Sequence, residues 1–508
     1  MWSPGRRAGL LIITKTMRND SPRRIPEDAH RFLPRFVARL GLRIGIGLIA
    51  AALLTACAKD PPASSPPATG PSPPDGSAAV TPATPAPTLD GTISVSLSTA
   101  TRTPMVATAL GLNYWSWTYG LTLAGTEAAI TALAPAILRF GGHNNDWNGP
   151  TPFSNDELDR SVAYARSVGA EPIIQVPILD DVNGVTPTAD TAAAMVRYAN
   201  ITKAYGVKYF SVGNEPDIYS DADQTPRVPN FTADSYCQIA LAFVPAMRAV
   251  DPTIKVLGPE LSWKYQDGAN DWLTPILQGC GDMFDIVSIH RYPVDPTQTL
   301  RPAAAADAAN FHATIQAVRA KMTAAGQGAK PLALTETNLT WNGDPTTSTL
   351  EASPGTLPAG LWAADALGTA LGAGLWTTAF WSIRESWTLG MLTPDNVARP
   401  AYQAVDLFTR HFGPTLLPVT SSPTGVHAYA SRSAADDATL LVIVNWTDNP
   451  QRLSITATGG TGPAAPPAVV TVAPVTMTAV SIADAGAVTS WSYGQAEWQA
   501  HAAPTQSP

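Results

Sequence analysis

Two short stretches of this chain deliver a carboxylate in the same way. Lys208–Ser220 reads KYFSVGNEPDIYS, an apolar run (Tyr209–Val212) that ends in Asn214-Glu215 and is stopped by Pro216. Far downstream, Leu332-Ala333-Leu334 ends in Thr335-Glu336-Thr337-Asn338. A lone carboxylate at a strand end is usually just solvated, but two that arrive on separate strands can face one another across a shared space. Such a pair suits hydrolysis of a glycosidic bond. One carboxyl protonates the departing oxygen while the other attacks the sugar or activates water, through an oxocarbenium-like transition state. The two need different pKa values, which their surroundings must set. Arg139, at the end of the earlier run Ala136–Phe140, is placed to hold Glu336 ionised as a nucleophile, leaving Glu215 as acid and then base. His290 and Tyr292 follow the run Phe284–Ile289 two residues apart, so on a strand both point inward. Asp146, in the polar loop His143–Asp146, could read sugar hydroxyls. Trp115, Trp117, Trp147, Trp263, Trp341 and Trp381 lie on or just beyond run ends, where an indole can stack on the apolar face of a sugar ring. No Cys/His cluster has ligand spacing, so neither a metal nor a cofactor is expected.

These residues need a scaffold that collects strand ends at one place. The apolar runs Leu110–Tyr114, Ala136–Phe140, Pro172–Val176, Val207–Val212, Lys255–Leu257, Phe284–Ile289, Pro331–Leu334 and Leu375–Trp381 alternate with helix-like segments. In Asn155–Val168, for example, Leu158, Val162, Ala165 and Val168 recur at the spacing of a helix that covers a sheet. This alternation predicts an α/β fold, a (β/α)8 TIM barrel over residues 105–412, with its active site at the C-terminal ends of the strands. An open doubly wound sheet would normally bring a glycine-rich phosphate loop, and none is present. After Gly413 short β-rich runs separated by Gly, Pro, Asn and Asp predict a C-terminal antiparallel β-sandwich over 413–484. The strand-like Thr92–Leu97, within 91–104, has no helix after it and is expected to join that sandwich. Residues 485–508 are expected to be a poorly ordered tail.

Composition bounds the rest. The chain has 508 residues, 45% hydrophobic and 14% charged, enough for two or three domains and a sizeable core. The net charge of −8 includes ten Lys/Arg and three Asp/Glu in residues 1–56, whose removal leaves −15. So acidic a body, with no basic cluster, argues against nucleic acid as a partner. Residues 1–57 read as a lipoprotein signal peptide. Arginines precede the 13-residue apolar run Ile44–Ala56, which is short for a membrane span and ends in Leu54-Thr55-Ala56-Cys57. This resembles a lipobox, with Cys57 as the lipidated residue. Residues 58–90 form a Pro/Ala/Ser-rich linker, with ten prolines in 58–89, that would hold the body off a membrane. Lipid anchoring in the cell envelope is therefore expected, at the outer membrane if the source has one. Cys237 and Cys280 are either one disulfide or two buried thiols; their spacing does not decide.

Taken in order on successive strands, Arg139, Asn214-Glu215, His290-x-Tyr292, Glu336 and Trp381 resemble clan A glycoside hydrolases over residues 105–412. The resemblance implies a retaining mechanism, with Glu215 as acid/base and Glu336 as nucleophile. It further implies that Asn214 contacts the sugar 2-hydroxyl, that Tyr292 touches the nucleophile, and that Trp381 floors the −1 subsite. Leu138-Arg139-Phe140-Gly141-Gly142, Gly213–Asp217, Thr335–Asn338 and the following sandwich look most like family 79, the β-glucuronidase and heparanase group, while families 39, 44 and 51 share parts of the pattern. One departure stands out. Family 79 places a Tyr-Gly pair soon after the nucleophile to meet the uronate carboxylate, where this chain has Trp341-Asn342-Gly343-Asp344. An aspartate there would repel a carboxylate and puts uronic-acid specificity in question. The expected partner is a carbohydrate substrate, with no obligate protein partner evident. The competing reading is a non-catalytic carbohydrate-binding lipoprotein on a degenerate barrel.

Overall fold

The computed structural model describes residues 89–507 apart from 116–121, 147–153, 182, 223, 225–226, 299, 345–350, 386 and 460–466. The expected leader with Cys57, and all but the end of the 58–90 linker, lie outside the described residues, as do Trp117 and Trp147. Among the described residues no helix is long and apolar enough to cross a membrane.

Eight parallel strands close into a barrel: Leu110–Tyr114, Ile137–Phe140, Glu171–Val176, Tyr209–Val212, Lys255–Leu261, Ile286–Arg291, Leu332–Thr337 and Thr378–Phe380. The eighth strand pairs with both the seventh and the first, which closes the ring. Alternate residues point into the barrel. Ile137, Ile173, Leu257, Ile286 and Ala333 form an apolar layer near the strand starts, packed against Tyr209 and Trp376. Two residues further along these strands stand Arg139, Gln175, Ser288 and Thr335, all buried. The interior thus changes from apolar to polar toward the C-terminal ends, where the outgoing loops gather.

Two irregularities in register break this alternation. Strand five pairs Pro259 with Ser288 and Leu261 with Ile289, so Glu260 is an extra residue; its φ is +57°. Strand seven pairs Leu334 with Ile289 and Glu336 with His290, so Thr335 is likewise extra. Such bulges re-aim side chains. Here they bring Glu260 and Glu336 to the barrel mouth, where strict alternation from Leu257 and Ala333 would have turned them outward.

Two sheets form the sandwich. One has the strand order 419–421, 91–96, 451–458, 468–472; the other runs 505–507, 488–493, 476–483, 438–445, 426–432, 415–417, 103–104. The strand before the barrel, Gly91–Ser96, joins as expected, but it pairs parallel to Gln451–Thr458, so the sandwich is not wholly antiparallel. Ile93 and Val95 fill its core with Leu441, Ile443, Leu453 and Val480. The expectation of a loose tail over 485–508 is corrected. Val488–Tyr493 pairs along the open edge of Thr476–Ala483, Thr505–Ser507 adds to it, Tyr493 is buried, and Trp491 stacks 3.8 Å from His411 on the last barrel helix. The run has few large apolar residues, and its order comes from a free strand edge that pattern reading does not see. Cys237 and Cys280 form a disulfide joining the helices Ala233–Val250 and Leu273–Cys280.

Barrel and sandwich meet at the helix Leu357–Gly372. Asp365, fully buried, accepts from Tyr429 Oη at 2.9 Å and Trp446 Nε1 at 2.6 Å, and lies 2.7 Å from His427 Nδ1. Gly368 admits the Tyr429 ring, which a Cβ there would meet at 2.4 Å. Removing the carboxylate would leave buried donors without an acceptor. Asp365→Ala is therefore expected to lower stability by ~3 kcal/mol, read as a reduced urea midpoint.

Candidate active site

The barrel mouth is built around Arg139, which is fully buried. Its Nη1 donates to Glu336 Oε2 at 3.0 Å and to Asn113 Oδ1 at 3.0 Å. Its Nη2 donates to Asn214 Oδ1 at 2.7 Å and lies 3.1 Å from Glu260 Oε2. Burial works against this charge, but Glu260, Glu336 and Glu215 together more than offset it and hold the guanidinium above its ordinary pKa. One cation thus ties strands one, two, four, five and seven together.

His290 is the second hub. Its Nδ1 lies 3.0 Å from Glu215 Oε1 and its Nε2 2.8 Å from Glu260 Oε2. Burial disfavours the imidazolium, yet the Glu336 charge and the bonds to Glu215 and Glu260 raise the pKa to about 9. At Glu260 burial is outweighed by Arg139 and His290, which hold that carboxylate down at about 2. Thr335 Oγ1 adds a hydrogen bond to Glu260 Oε2 at 3.0 Å. Glu260 is therefore a permanent anion behind the two glutamates read from the sequence.

Glu336 accepts from Tyr292 Oη at 2.6 Å as well as from Arg139. Burial and the nearby Glu215 charge push its pKa up, against His290 and Arg139. For Glu215 burial is overcome by the hydrogen bond and charge of His290, and its pKa falls. The mobile proton of the free site accordingly rests on the His290–Glu215 pair, on the imidazole side. The backbone presents Glu215 in a constrained way: Gly213 (φ +73°) and Glu215 (φ +53°) are both left-handed, and Glu215 N–H donates to Glu260 C=O at 2.9 Å. Strain at a non-glycine residue is tolerated where the surroundings enforce it.

Above this set lies a pocket of about 560 Å³ whose wall includes Asn214, Glu215, Tyr292 and Glu336. Trp115, Trp263, Trp341, Trp381 and Trp387 also line it, the outer three substantially exposed. Trp381 is buried to 7% exposure, with Trp115 at 5.9 Å between ring centroids. Gly142 leaves it room, since a Cβ there would meet the Trp381 ring at 2.7 Å. Trp263 is placed by Asp217, whose carboxylate takes the amides of Ser262, Trp263 and Lys264 at 2.9–3.1 Å.

Of the residues expected to bind substrate, Asn214, Tyr292, Trp341 and Trp381 line the pocket. Arg139 and His290 lie beneath it and hold the carboxylates. The expectation for Asp146 is corrected. It is fully buried, its Oδ1 accepts from Ile178 N at 3.2 Å, and burial raises its pKa well above the ordinary value. It supports the Glu215 turn from below. The sequence reading missed Asn113, Glu260 and Glu385. Asn113 lies next to the end of the first strand run, a signal of the same kind as Arg139; Glu260 is hidden because the fifth run reads as ending before Gly258-Pro259. Oxygen and nitrogen atoms of Glu215, His290 and Glu336 lie within 4.8 Å of one another, close enough to hold a cation. Their hydrogen bonds are already met from within the protein, and Arg139 stands where a metal's charge would act.

The family model described as "Glycosyl hydrolase catalytic core" matches residues 160–353, which include Glu215, Glu260, His290 and Glu336. No curated protein sequence is similar to the chain. Among solved structures, an α-L-arabinofuranosidase from Thermotoga maritima is similar with a TM-score of 0.57 at 19% identity, over 82% of this chain and 97% of that one. A family 44 xyloglucanase from Paenibacillus polymyxa gives 0.56 at 14% identity, over 76% and 98%. A family 51 α-L-arabinofuranosidase from Bifidobacterium longum gives 0.60 at 14%, over 78% and 100%. The chain thus carries a match to a glycosyl hydrolase catalytic core over residues 160–353 and shares the barrel-and-sandwich fold of these family 51 and 44 enzymes.

Proposed function

We propose that the protein is a retaining glycoside hydrolase that cleaves O-glycosidic bonds in poly- or oligosaccharides by double displacement. The observation that carries this reading is the approach of Glu215 and Glu336 oxygens to within 4.8 Å at the base of a tryptophan-lined pocket. Carboxyl pairs about 5–5.5 Å apart leave no room for an intervening water, so the second group attacks the sugar directly. Glu336 is the nucleophile. Tyr292 and Arg139 orient its two oxygens, and Asn214 stands beside it on the pocket wall. Glu215 takes the proton from His290 Nδ1 and gives it to the leaving oxygen. It then removes a proton from the water that opens the glycosyl-enzyme, and that proton can return to His290. Glu260 and Arg139 keep the charge around this exchange balanced.

A merely sugar-binding barrel would need the tryptophans but not a strained Glu215 joined to a raised imidazole. The strand-end residues follow the family 79 pattern, whereas the similar folds reported above come from families 51 and 44; clan-level chemistry is common to all three. The roles of the two glutamates separate by substrate. Glu336→Gln is expected to lose at least about 10³-fold in kcat on every substrate. In kcat/KM, which reads the first step, Glu215→Gln should lose far less on a nitrophenyl glycoside, whose leaving group needs little protonation, than on a natural glycan. Proton NMR of the first-formed sugar should show the anomer of the substrate; inversion, or near wild-type rates of either variant on a natural glycan, sinks the assignment.

The pH dependence follows from the same groups. Activity needs Glu336 ionised and the proton present on the His290–Glu215 pair. The rate should therefore fall as pH drops through the raised pKa of Glu336, and fall again as pH rises through about 9. His290→Gln removes the store and should move the alkaline limb of kcat/KM to lower pH.

We propose further that Cys57 is lipidated and that residues 58–90 tether the enzyme in the cell envelope, a reading supported by the lipobox-like LTAC and the proline-rich segment after it. Cys57→Ser should abolish incorporation of labelled palmitate and shift the protein from the detergent to the aqueous phase on Triton X-114 partition; unchanged incorporation would refute it.

A further inference from the structure

Glu385 is a buried carboxyl that the mechanism above does not use. It follows the eighth strand, four residues beyond Trp381, and lines the pocket at 7% exposure. Trp381, Ser382 and the Leu389 amide act on its carboxylate through hydrogen bonds, while its Oε1 is sealed and has no partner of its own. Leaving such an oxygen unpaired costs about 1–3 kcal/mol, which a hydroxyl in the pocket recovers once the carboxylate turns toward it. The nearest opposing charge does not fill this role, because Arg399 Nη1 is bonded to the carbonyls of Gly390 and Leu392 at 2.9 and 3.0 Å. Trp381 hydrogen-bonds to Glu385, so the carboxyl stands beside the indole platform, and Tyr292 lines the same pocket. Burial raises its pKa to about 7, with Arg399 opposing, so near neutrality it can donate or accept. A sugar ring laid on Trp381 turns its edge hydroxyls toward neighbouring walls, and Glu385 is on one of them.

The charge of the wall points the same way. Glu215, Asp221, Glu336 and Glu385 line the pocket, and among its described lining residues there is no Lys or Arg. Lys264 Nζ, close by, is taken up by Asp221 at 2.7 Å and by the Asp217 carbonyl at 2.7 Å. Asp344, which the sequence offered as the group that would repel a uronate, is not among the described lining residues; Glu385 is. A carboxylate on the bound sugar would meet acidic groups with no guanidinium or ammonium to receive it, whereas a hydroxyl meets carboxylates able to accept from it.

We propose that Glu385 is a specificity-determining residue, hydrogen-bonding a ring hydroxyl of a neutral sugar held against Trp381 and excluding uronic acids from that position. This rests on the glycosidase reading of the pocket. The test compares kcat/KM of the full chain, Glu385→Gln and Glu385→Ala on nitrophenyl glucoside, galactoside, xyloside, arabinofuranoside and glucuronide. The wild type should hydrolyse a neutral glycoside at least about 100-fold faster than the glucuronide. Glu385→Ala should lower the neutral rate by about 10- to 100-fold while the glucuronide rate stays level or rises, so the ratio narrows at least tenfold. Glu385→Gln, which keeps the shape, guards against misfolding and should narrow the ratio less. A wild type that prefers the glucuronide, or a ratio unchanged in both variants, overturns the proposal while leaving the glycosidase reading intact. If no member of the panel is hydrolysed, that reading is what has failed, and calorimetry with the free sugars decides the proposal: tighter binding of a neutral sugar than of glucuronate, weakened by Glu385→Ala, supports it, and equal binding overturns it.

Discussion

A guanidinium enclosed in the mouth of a barrel is the constraint on which the rest of this site depends. Arg139 has no access to water, and an isolated buried cation is too costly to keep unless anions and hydrogen-bond acceptors surround it. Glu336, Glu260, Asn214 and Asn113 supply them from four other strands. Each acceptor is thereby held in place by the same group, and any movement of one strand end relative to the others would break a charged bond in a low-dielectric interior. The rigidity that a two-carboxylate reaction requires follows from meeting the needs of one arginine.

That network also divides three chemically alike carboxylates into distinct parts. Glu260 touches both cations and is held ionised. Glu336 shares Arg139 with it but opens onto the pocket, where Tyr292 fixes its second oxygen. Glu215 is bonded to His290 rather than to Arg139, so its proton content follows that of the imidazole. Environment rather than residue type sets these roles. The pocket wall extends the theme, since its other acidic groups have no cation to spare for a charged ligand.

The scaffold places these groups through departures from regularity. A perfectly alternating fifth or seventh strand would send Glu260 and Glu336 to the helix side of the barrel; one extra residue in each brings them inward. The barrel is in turn braced from outside by the sandwich, through the Asp365 carboxylate and the Tyr429 ring seated on Gly368. This contact uses both ends of the described residues, because the strand before the barrel lies within the same sandwich.

By itself the sequence determined the order of the eight strands, the barrel class, the sandwich and the positions of Glu215, Glu336, His290 and Tyr292. Apolar runs and the residues just beyond them are local properties, and a barrel collects strand ends wherever the runs lie. Asp146 and Trp381 both follow strand ends in the chain, yet one is sealed beneath the Glu215 turn and the other floors the pocket; only packing separates them. Tertiary structure alone revealed Glu260 and Glu385, since a bulge and a buried unpaired oxygen depend on what neighbouring strands and loops offer, not on the residue's own surroundings in sequence. It also closed the Cys237–Cys280 bond that spacing left open and gave order to Val488–Tyr493. In each case the deciding partner lies far off along the chain, and the interaction exists only once the fold has brought the two together.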